Sequence, residues 1–447
     1  MQSLFFFIIA LALLIVVHEF GHFWVARRCG VKVLKFSVGF GKSLWTKQGK
    51  DGTEYVIAAI PLGGFVKMLD EREGEVPAEL LDRAFNRQSL RSRIAIVVAG
   101  PVANLLFAVV AYWFIFVIGI PGLRPIIDEV DAHSPAEIAQ LMVGDEIKAI
   151  NGRSTPTWLS VSKALLKQSE SGGVAQLLVQ SGGRDIQRQL EVTKRDLAVS
   201  LSVPLVQALG LTPIRISLKP IIGSVVKGGA AETAGLQAGD KLLFADGELI
   251  DNWRAWVALI RASPNKLLNV TIERAGQQFE LSIRPIKTID NIGQIGAGVD
   301  SRQAVVPEEL QATFRYGPVQ AILPAINETQ RFITLTLTSL AGMITGSVSS
   351  KNLGGPISIA QYAGEAANQG LIYFIGFLAV ISISLGILNL LPIPILDGGH
   401  LAMYLVEWIR GKPLSDNMQL QGQKIGILLL LMLMVLAFYN DLSRLFG

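Results

Sequence analysis

Cysteine is almost absent. Cys29 is the only one in 447 residues, which excludes an intrachain disulfide framework. The long polar middle of the chain is therefore thiol-free, which suits an oxidising compartment. Charge is sparse as well, at 17% of residues, 40 of them basic and 36 acidic. The resulting net charge of +4 forms no basic stripe, so no nucleic-acid partner is expected. Histidine is confined to four positions, His18, His22, His133 and His400. What the chain has in plenty is apolar residues, half of the total, with a mean hydropathy of +0.44. That is too apolar for an ordinary soluble protein, and the length is too great for one domain.

Four apolar segments stand out. The first runs from about Leu4 to Ala26, and the second from Ala95 to Ile120 with Asn104 as its only strongly polar side chain. The third, Leu371 to Leu396, carries Asn389, Pro392 and Pro394 near its end. The last, Ile425 to Tyr439, is short: roughly 15 residues at about 1.5 Å each barely cross a thinned bilayer core. For the first segment a secretory signal peptide is disfavoured. Met1-Gln2-Ser3 supplies no basic n-region, and no small-residue cleavage site follows.

Lysine and arginine set the expected orientation. Arg27, Arg28, Lys32 and Lys35 follow the first span, Arg91 and Arg93 precede the second, and Arg410, Lys412 and Lys424 lie between the third and fourth. Those loops are expected in the cytoplasm, with both termini and the segment from Gly122 to Gly370 on the far side. The predicted spans are 1–26, 95–120, 371–396 and 425–440, with cytoplasmic loops at 27–94 and 397–424.

The chemistry starts at His18-Glu19-Phe20-Gly21-His22, directly after the unbroken apolar run Leu4 to Val17. Histidines at i and i+4 share one helix face and can share one Zn²⁺, with Glu19 placed to deprotonate a water on the metal. Ionisable groups are expensive inside an apolar span, so the reaction is expected in the membrane. Catalytic zinc takes three protein ligands. His133 lies in the far-side segment, which leaves His400 and the carboxylates. The strongest candidate is Asp397, in Asn389-Leu-Leu-Pro-Ile-Pro-Ile-Leu-Asp397-Gly398-Gly399-His400. It ends the third span on the side where His18 and His22 end the first, and His400 reads as a polar interfacial residue. Pro392 and Pro394 cannot donate backbone hydrogen bonds, so the span is predicted to break there and line a polar cavity.

The middle of the chain repeats itself. Ser134-Pro-Ala-Glu-Ile-Ala-Gln-Leu-Met-Val-Gly-Asp-Glu-Ile matches Gly229-Ala-Ala-Glu-Thr-Ala-Gly-Leu-Gln-Ala-Gly-Asp-Lys-Leu at a constant shift of 95 residues. The same shift pairs Asn151-Gly152 with Asp246-Gly247, and Trp158 with Trp253. A repeat this long is two whole domains, at 122–216 and 217–301. They resemble tandem PDZ domains, α+β modules that capture an extended peptide at a sheet edge. Leu209-Gly210-Leu211 and Ile295-Gly296-Ala297 are then the candidate loops for a peptide carboxylate, with empty spacers as the alternative. The stretch 302–370 follows, in which Pro324 to Leu340 reads as an amphipathic helix, either lying on the bilayer or acting as a brace.

The two motifs and the inserted repeats together resemble the site-2 protease family of intramembrane zinc metalloproteases. The likeness extends to Gly39-Phe40-Gly41, Pro61-Leu-Gly-Gly-Phe-Val-Lys67, Gly100-Pro101-Val-Ala-Asn104 and Leu353-Gly-Gly-Pro-Ile-Ser358. It implies one zinc per chain held by His18, His22 and Asp397, Glu19 as general base, and Asn389 holding the substrate backbone. Gly39, Gly41 and Asn104 are carried as further substrate-binding candidates; the alternatives are turn glycines and a helix–helix hydrogen bond. Residues 39–67 would form a membrane re-entrant β-hairpin, and Glu54 to Ile60 is strand-like on its own pattern. The implied fold is four transmembrane helices with inserted tandem PDZ domains, in a bacterial inner membrane with the repeats periplasmic. The implied substrate is a single-pass membrane protein of the anti-sigma-factor type, or a signal-peptide remnant. Membrane lipid and peptide C-termini complete the expected partners. Three rivals are weighed against this: a membrane zinc peptidase with a Glu third ligand, a PDZ adaptor with a vestigial metal site, and a zinc transporter.

Overall fold

The computed structural model describes residues 2–193, 204–214, 218–288, 291–300, 306–349, 353–412 and 415–446. The expected domain limits at 1, 216, 217, 301 and 302 lie outside the described residues. The chain divides into two compact units, one made of Met1–Ile120 with Arg315–Gly447 and one of Pro121–Phe314.

The first unit is helical with one small sheet. Helix α1 spans Gln2–Arg28 and helix α2 spans Leu90–Ile118. The later helices are Ile322–Thr345, Pro356–Gln369, Leu371–Leu390, Asp397–Arg410 and Asp416–Phe446. Among the described residues four are long and apolar enough to cross a membrane: Gln2–Arg28, Leu90–Ile118, Leu371–Leu390 and Asn417–Arg444. The fourth is much longer than the apolar run 425–440, because its helix begins in the polar turn before that run. The third is shorter than 371–396: its helix stops at Leu390, where Pro392 and Pro394 remove the donors a helix needs. The loop predicted at 397–424 contains a whole helix, Asp397–Arg410, and the start of the next. The 302–370 stretch likewise holds a second helix, Pro356–Gln369, besides the amphipathic one.

Small residues let these helices meet. A Cβ built on Gly21 of α1 would lie 2.8 Å from the Ala103 Cβ of α2, so the two backbones touch. Close approach through small residues suits helices that lack a hydrophobic drive toward one another in lipid. The core around α2 joins Ala108, Ala111, Ile115 and Phe116 to Ala379, Ile383 and Ile387 of the Leu371–Leu390 helix. A buried aspartate fastens the last helix: Asp441, 1% exposed, accepts from the backbone N–H groups of Gly355, Ile357 and Ser358. It therefore caps the Pro356–Gln369 helix from another part of the chain, as an N-cap side chain does from within.

Strands β1, Val33–Gln48, and β2, Glu54–Met68, are each bent so that the pair forms four antiparallel segments. Their order is 43–48, 54–58, 33–38, 64–68. The bend in β1 falls at Gly39 and Gly41, whose φ angles of 94° and 86° favour glycine. The outer segment Gly64–Met68 is thereby left as a sheet edge.

In the second unit two copies share one order of elements. In the first copy, Arg153–Ser154, Glu146–Ile150, Gly173–Ser181 and Arg184–Val192 form one sheet, and Ile127–Val130 pairs with Leu211–Pro213. The second copy repeats this with Glu248–Leu249, Lys241–Ala245, Leu268–Arg274 and Gln277–Ile283, and with Ile222–Val225 against Ala297–Val299. Both turn at a left-handed residue before glycine, Asn151 and Asp246, each at φ 49°. Each of these side chains accepts from a strand N–H, that of Gln176 or Asn269, which explains the Asn/Asp-Gly pattern.

Candidate metal centre

His18 and His22 sit one turn apart on α1, and their Nε2 atoms lie 3.2 Å from each other. The chain leaves the Leu371–Leu390 helix through Ile395, a β-branched residue at φ 120°, a conformation held only where the surroundings enforce it. It re-enters a helix at Asp397. A Cβ on Gly399 would lie 2.5 Å from the Ile393 oxygen, and one on Gly398 would collide with the Leu390 and Leu391 oxygens. The two glycines therefore let this helix start against the preceding turn, which delivers Asp397 to the histidines. Asp397 Oδ2 is 3.1 Å from His18 Nε2, and Oδ1 is 3.5 Å from His22 Nε2. One donor atom from each of the three falls within 4.8 Å of the others.

Helix α2 forms the wall behind the rings. His22 Nδ1 is 2.8 Å from the Ile96 carbonyl oxygen, which can only accept, so Nδ1 carries the proton and Nε2 keeps a lone pair. A Cβ on Gly100 would stand 2.6 Å from His22 Cε1 and 2.8 Å from His18 Cε1. Only glycine fits there. Asn104, one turn further on, is 1% exposed, with Nδ2 3.4 Å from His18 Nδ1. At the α2 start, Arg93 donates to both Glu407 oxygens, at 2.6 and 3.1 Å, and stacks on Tyr404. That pair ties α2 to the helix that carries Asp397.

A cleft of about 300 Å³ opens beside the cluster, lined by Glu19, His22, Asp397, Val66, Met68 and His400 among others. Glu19 is half-buried, and a Cβ on Gly64 would lie 3.2 Å from its Cγ. The sheet edge therefore runs past the glutamate. His400 faces the cleft, and burial pushes its imidazole below its ordinary range. The donor set fits zinc: two imidazole nitrogens and a carboxylate are one of the three-ligand sets of catalytic sites, with a position left for water. Their partly buried placement beside the Glu19 carboxylate is compatible with that use.

Other sequence candidates stand elsewhere. Asn389 is half-buried next to the last residue of its helix. Gly39 and Gly41 shape the β1 bend, where a Cβ on Gly39 would meet the Ile60 oxygen at 2.8 Å. In the first repeat Leu209 and Leu211 are fully buried. The N–H groups of Leu209 and Gly210 donate to Leu205 and Gln207 oxygens, so that loop is closed on itself. In the second repeat a groove of about 160 Å³ runs between the Trp253–Ala262 helix and Gly293–Ala297, past Ile295 and Gly296. The site parts that pattern reading missed are backbone or glycine: the Ile96 carbonyl, Gly100 as a cradle, and Gly398-Gly399 as a close-packed start.

Comparison with known proteins gives a family for the chain as a whole. Residues 6–433 match the model of Peptidase family M50. The regulator of sigma-E protease RseP of Escherichia coli (strain K12) is 45% identical over 441 residues, 98% of each chain. Protease RseP of Yersinia pestis is 44% identical over 443 residues, again 98% of each. A Vibrio cholerae protein bearing a zinc metalloprotease name is 43% identical over 442 residues and 98% of each chain. Among solved structures, the PDZ domain of an SdrC-like protein from Listeria monocytogenes covers 21% of this chain and all of its own, with 13% identity. Its TM-score is 0.18, too slight a likeness to bear on the fold.

Proposed function

The chain belongs to Peptidase family M50, the site-2 proteases, and on that premise we propose that it cuts single-pass membrane proteins within or near their spans. The observation that carries this reading is the meeting of His18, His22 and Asp397 beside Glu19, with both histidines on a helix apolar enough to span a bilayer. His18, His22 and Asp397 would hold zinc, which when bound supplies a Lewis acid that acidifies a water and polarises the scissile carbonyl. Glu19 takes the water's proton on its carboxylate and returns it to the leaving amine. A helical substrate shields its backbone with its own hydrogen bonds, so it must unwind first. The Gly64–Met68 edge offers replacement donors and acceptors to a strand laid beside it, and Asn389 is assigned to the substrate backbone.

The expected substrate is an anti-sigma-type protein already trimmed outside the membrane, with signal-peptide remnants as a second class. The two repeats are assigned as periplasmic PDZ domains that exclude substrates with a bulky outer domain. The second repeat carries a groove between its Trp253–Ala262 helix and Gly293–Ala297 and is the one assigned to peptide C-termini. Deleting residues 122–301 should then allow untrimmed substrate to be cut; unchanged discrimination would refute the gate. The catalytic reading is tested with a reconstituted single-span substrate and two enzymes, wild type and Glu19→Gln, with zinc assayed in both. Cleavage by wild type alone, with zinc in both, supports it. Equal product from both would assign the cut to another protease.

A further inference from the structure

The two histidines receive unequal support from α2. His22 has its tautomer fixed by the Ile96 carbonyl, 2.8 Å from Nδ1. His18 Nδ1 instead meets a side chain, the Asn104 amide, whose Nδ2 is 3.4 Å away. Asn104 is 1% exposed, and its Oδ1 is buried with no hydrogen-bond partner among the described residues. Its backbone oxygen accepts from Ser382 Oγ at 2.8 Å, which fixes the turn that carries it. An unpaired buried amide oxygen beside an imidazole in the middle of an apolar helix is costly unless some state of the site uses it.

The chemistry of His18 supplies that state. Its Nε2 points to Asp397 Oδ2 at 3.1 Å. With the proton on Nε2, that nitrogen donates to Asp397, and Nδ1 accepts from the Asn104 NH₂ group. To ligate a metal, Nε2 must offer its lone pair, so the proton moves to Nδ1. Nδ1–H then needs an acceptor, and the atom available is Asn104 Oδ1, brought there by a half-turn of the amide. An amide serves both tautomers, which an aliphatic side chain cannot do.

We propose that Asn104 is a positioning residue for the metal centre, its Oδ1 accepting the Nδ1 proton of His18 and thereby holding Nε2 as a ligand. This replaces its assignment to substrate and rests on the zinc reading of the site. Partners of this kind set metal affinity by about 10–100-fold.

The test is zinc affinity of the full chain in detergent, by competition with a chelator, for wild type, Asn104→Leu and Asn104→Asp. Leucine keeps the volume without an acceptor; aspartate keeps the acceptor. The expected result is a zinc affinity weaker by about 10–100-fold in Asn104→Leu and near that of wild type in Asn104→Asp. If the leucine variant does not accumulate, Asn104→Ala takes its place. Equal losses in the acceptor-free and aspartate variants would mean a packing role and overturn the proposal, as would unchanged affinity in the acceptor-free variant. A wild type that holds no zinc would instead overturn the metalloprotease reading itself.

Discussion

Replacing Gly100 with alanine is the sharpest perturbation of the site, because it adds one methyl group and replaces neither a candidate ligand nor Glu19. The new Cβ would collide with His22 Nε2, and would stand 2.6 Å from His22 Cε1 and 2.8 Å from His18 Cε1. Ordinary carbon contacts begin at about 3.5 Å, so the rings or α2 must retreat by roughly 0.7–0.9 Å. Retreat is resisted on both sides. Gly21 of α1 already meets Ala103 of α2, and His22 is held to Ile96. Overpacking of this kind costs about 1–3 kcal/mol of stability. The larger effect falls on chemistry: metal–ligand distances tolerate about 0.2 Å, and a 1 Å misplacement costs about 10²-fold in rate. The expected outcome is therefore a folded protein with depleted zinc and at least about 10²-fold slower cleavage. Zinc content, thermal unfolding in detergent and cleavage of a single-span substrate would be measured together. Gly74→Ala, where an added Cβ meets nothing within 4 Å, is the control. Wild-type zinc and activity in Gly100→Ala would refute the close-packed wall.

Three further outcomes follow from the contacts. On the zinc reading Asp397→Asn should lower zinc affinity by more than the about 10–100-fold expected for a partner of a ligand, read by chelator competition, because it would remove a charged ligand. Asp441→Ala strands the N–H groups of Gly355, Ile357 and Ser358 and the Ser358 hydroxyl, so unfolding in detergent should show a loss of about 2–4 kcal/mol with zinc retained. At Glu146, burial opposes ionisation, but hydrogen bonds from Arg124 and Lys148 outweigh it and hold its carboxyl below the ordinary range. A depressed carboxylate stabilises the fold above its unfolded value, near about 4.3, and loses that contribution as pH falls through the folded value. Protection factors for hydrogen exchange at 146–150, taken relative to the intrinsic rate at each pH, should therefore fall on acidification in wild type, and Glu146→Gln should remove that pH dependence.

What the sequence made legible was the part where chemistry demands scarce residues. With four histidines and one i, i+4 pair carrying a glutamate between, the helix that holds the candidate zinc ligands was fixed by spacing alone. The proline-broken end of the third span pointed to Asp397 in the same way. What stayed hidden depends on partners distant in the chain. The Asp397–Arg410 helix lies within the expected cytoplasmic loop 397–424, where no long apolar run marks it, although Leu401, Tyr404, Leu405 and Trp408 keep helical spacing and Gly411 closes the last turn at φ 68°. The Pro356–Gln369 helix has its cap on Asp441, which no local pattern reveals. The bending of the hairpin into four segments leaves no local pattern, because a bend at two glycines changes which strands are neighbours without changing their alternation.

The same division explains why glycine carries so much of this site. Two histidines on one helix need a wall that approaches within contact of both rings, and an aspartate from a third element needs a helix that begins without clearance. Gly100, Gly398 and Gly399 meet those needs by lacking a side chain, so their contribution is a distance and not a contact. A substitution at any of them changes no ligand, no charge and no hydrogen-bonding group, yet each moves the donor atoms apart. For that reason the glycines should behave in metal-binding assays as ligands do, and in stability assays as ordinary core positions do. Variants at Gly398 and Gly100 that lost stability with zinc affinity unchanged would separate the fold from the site and break this account.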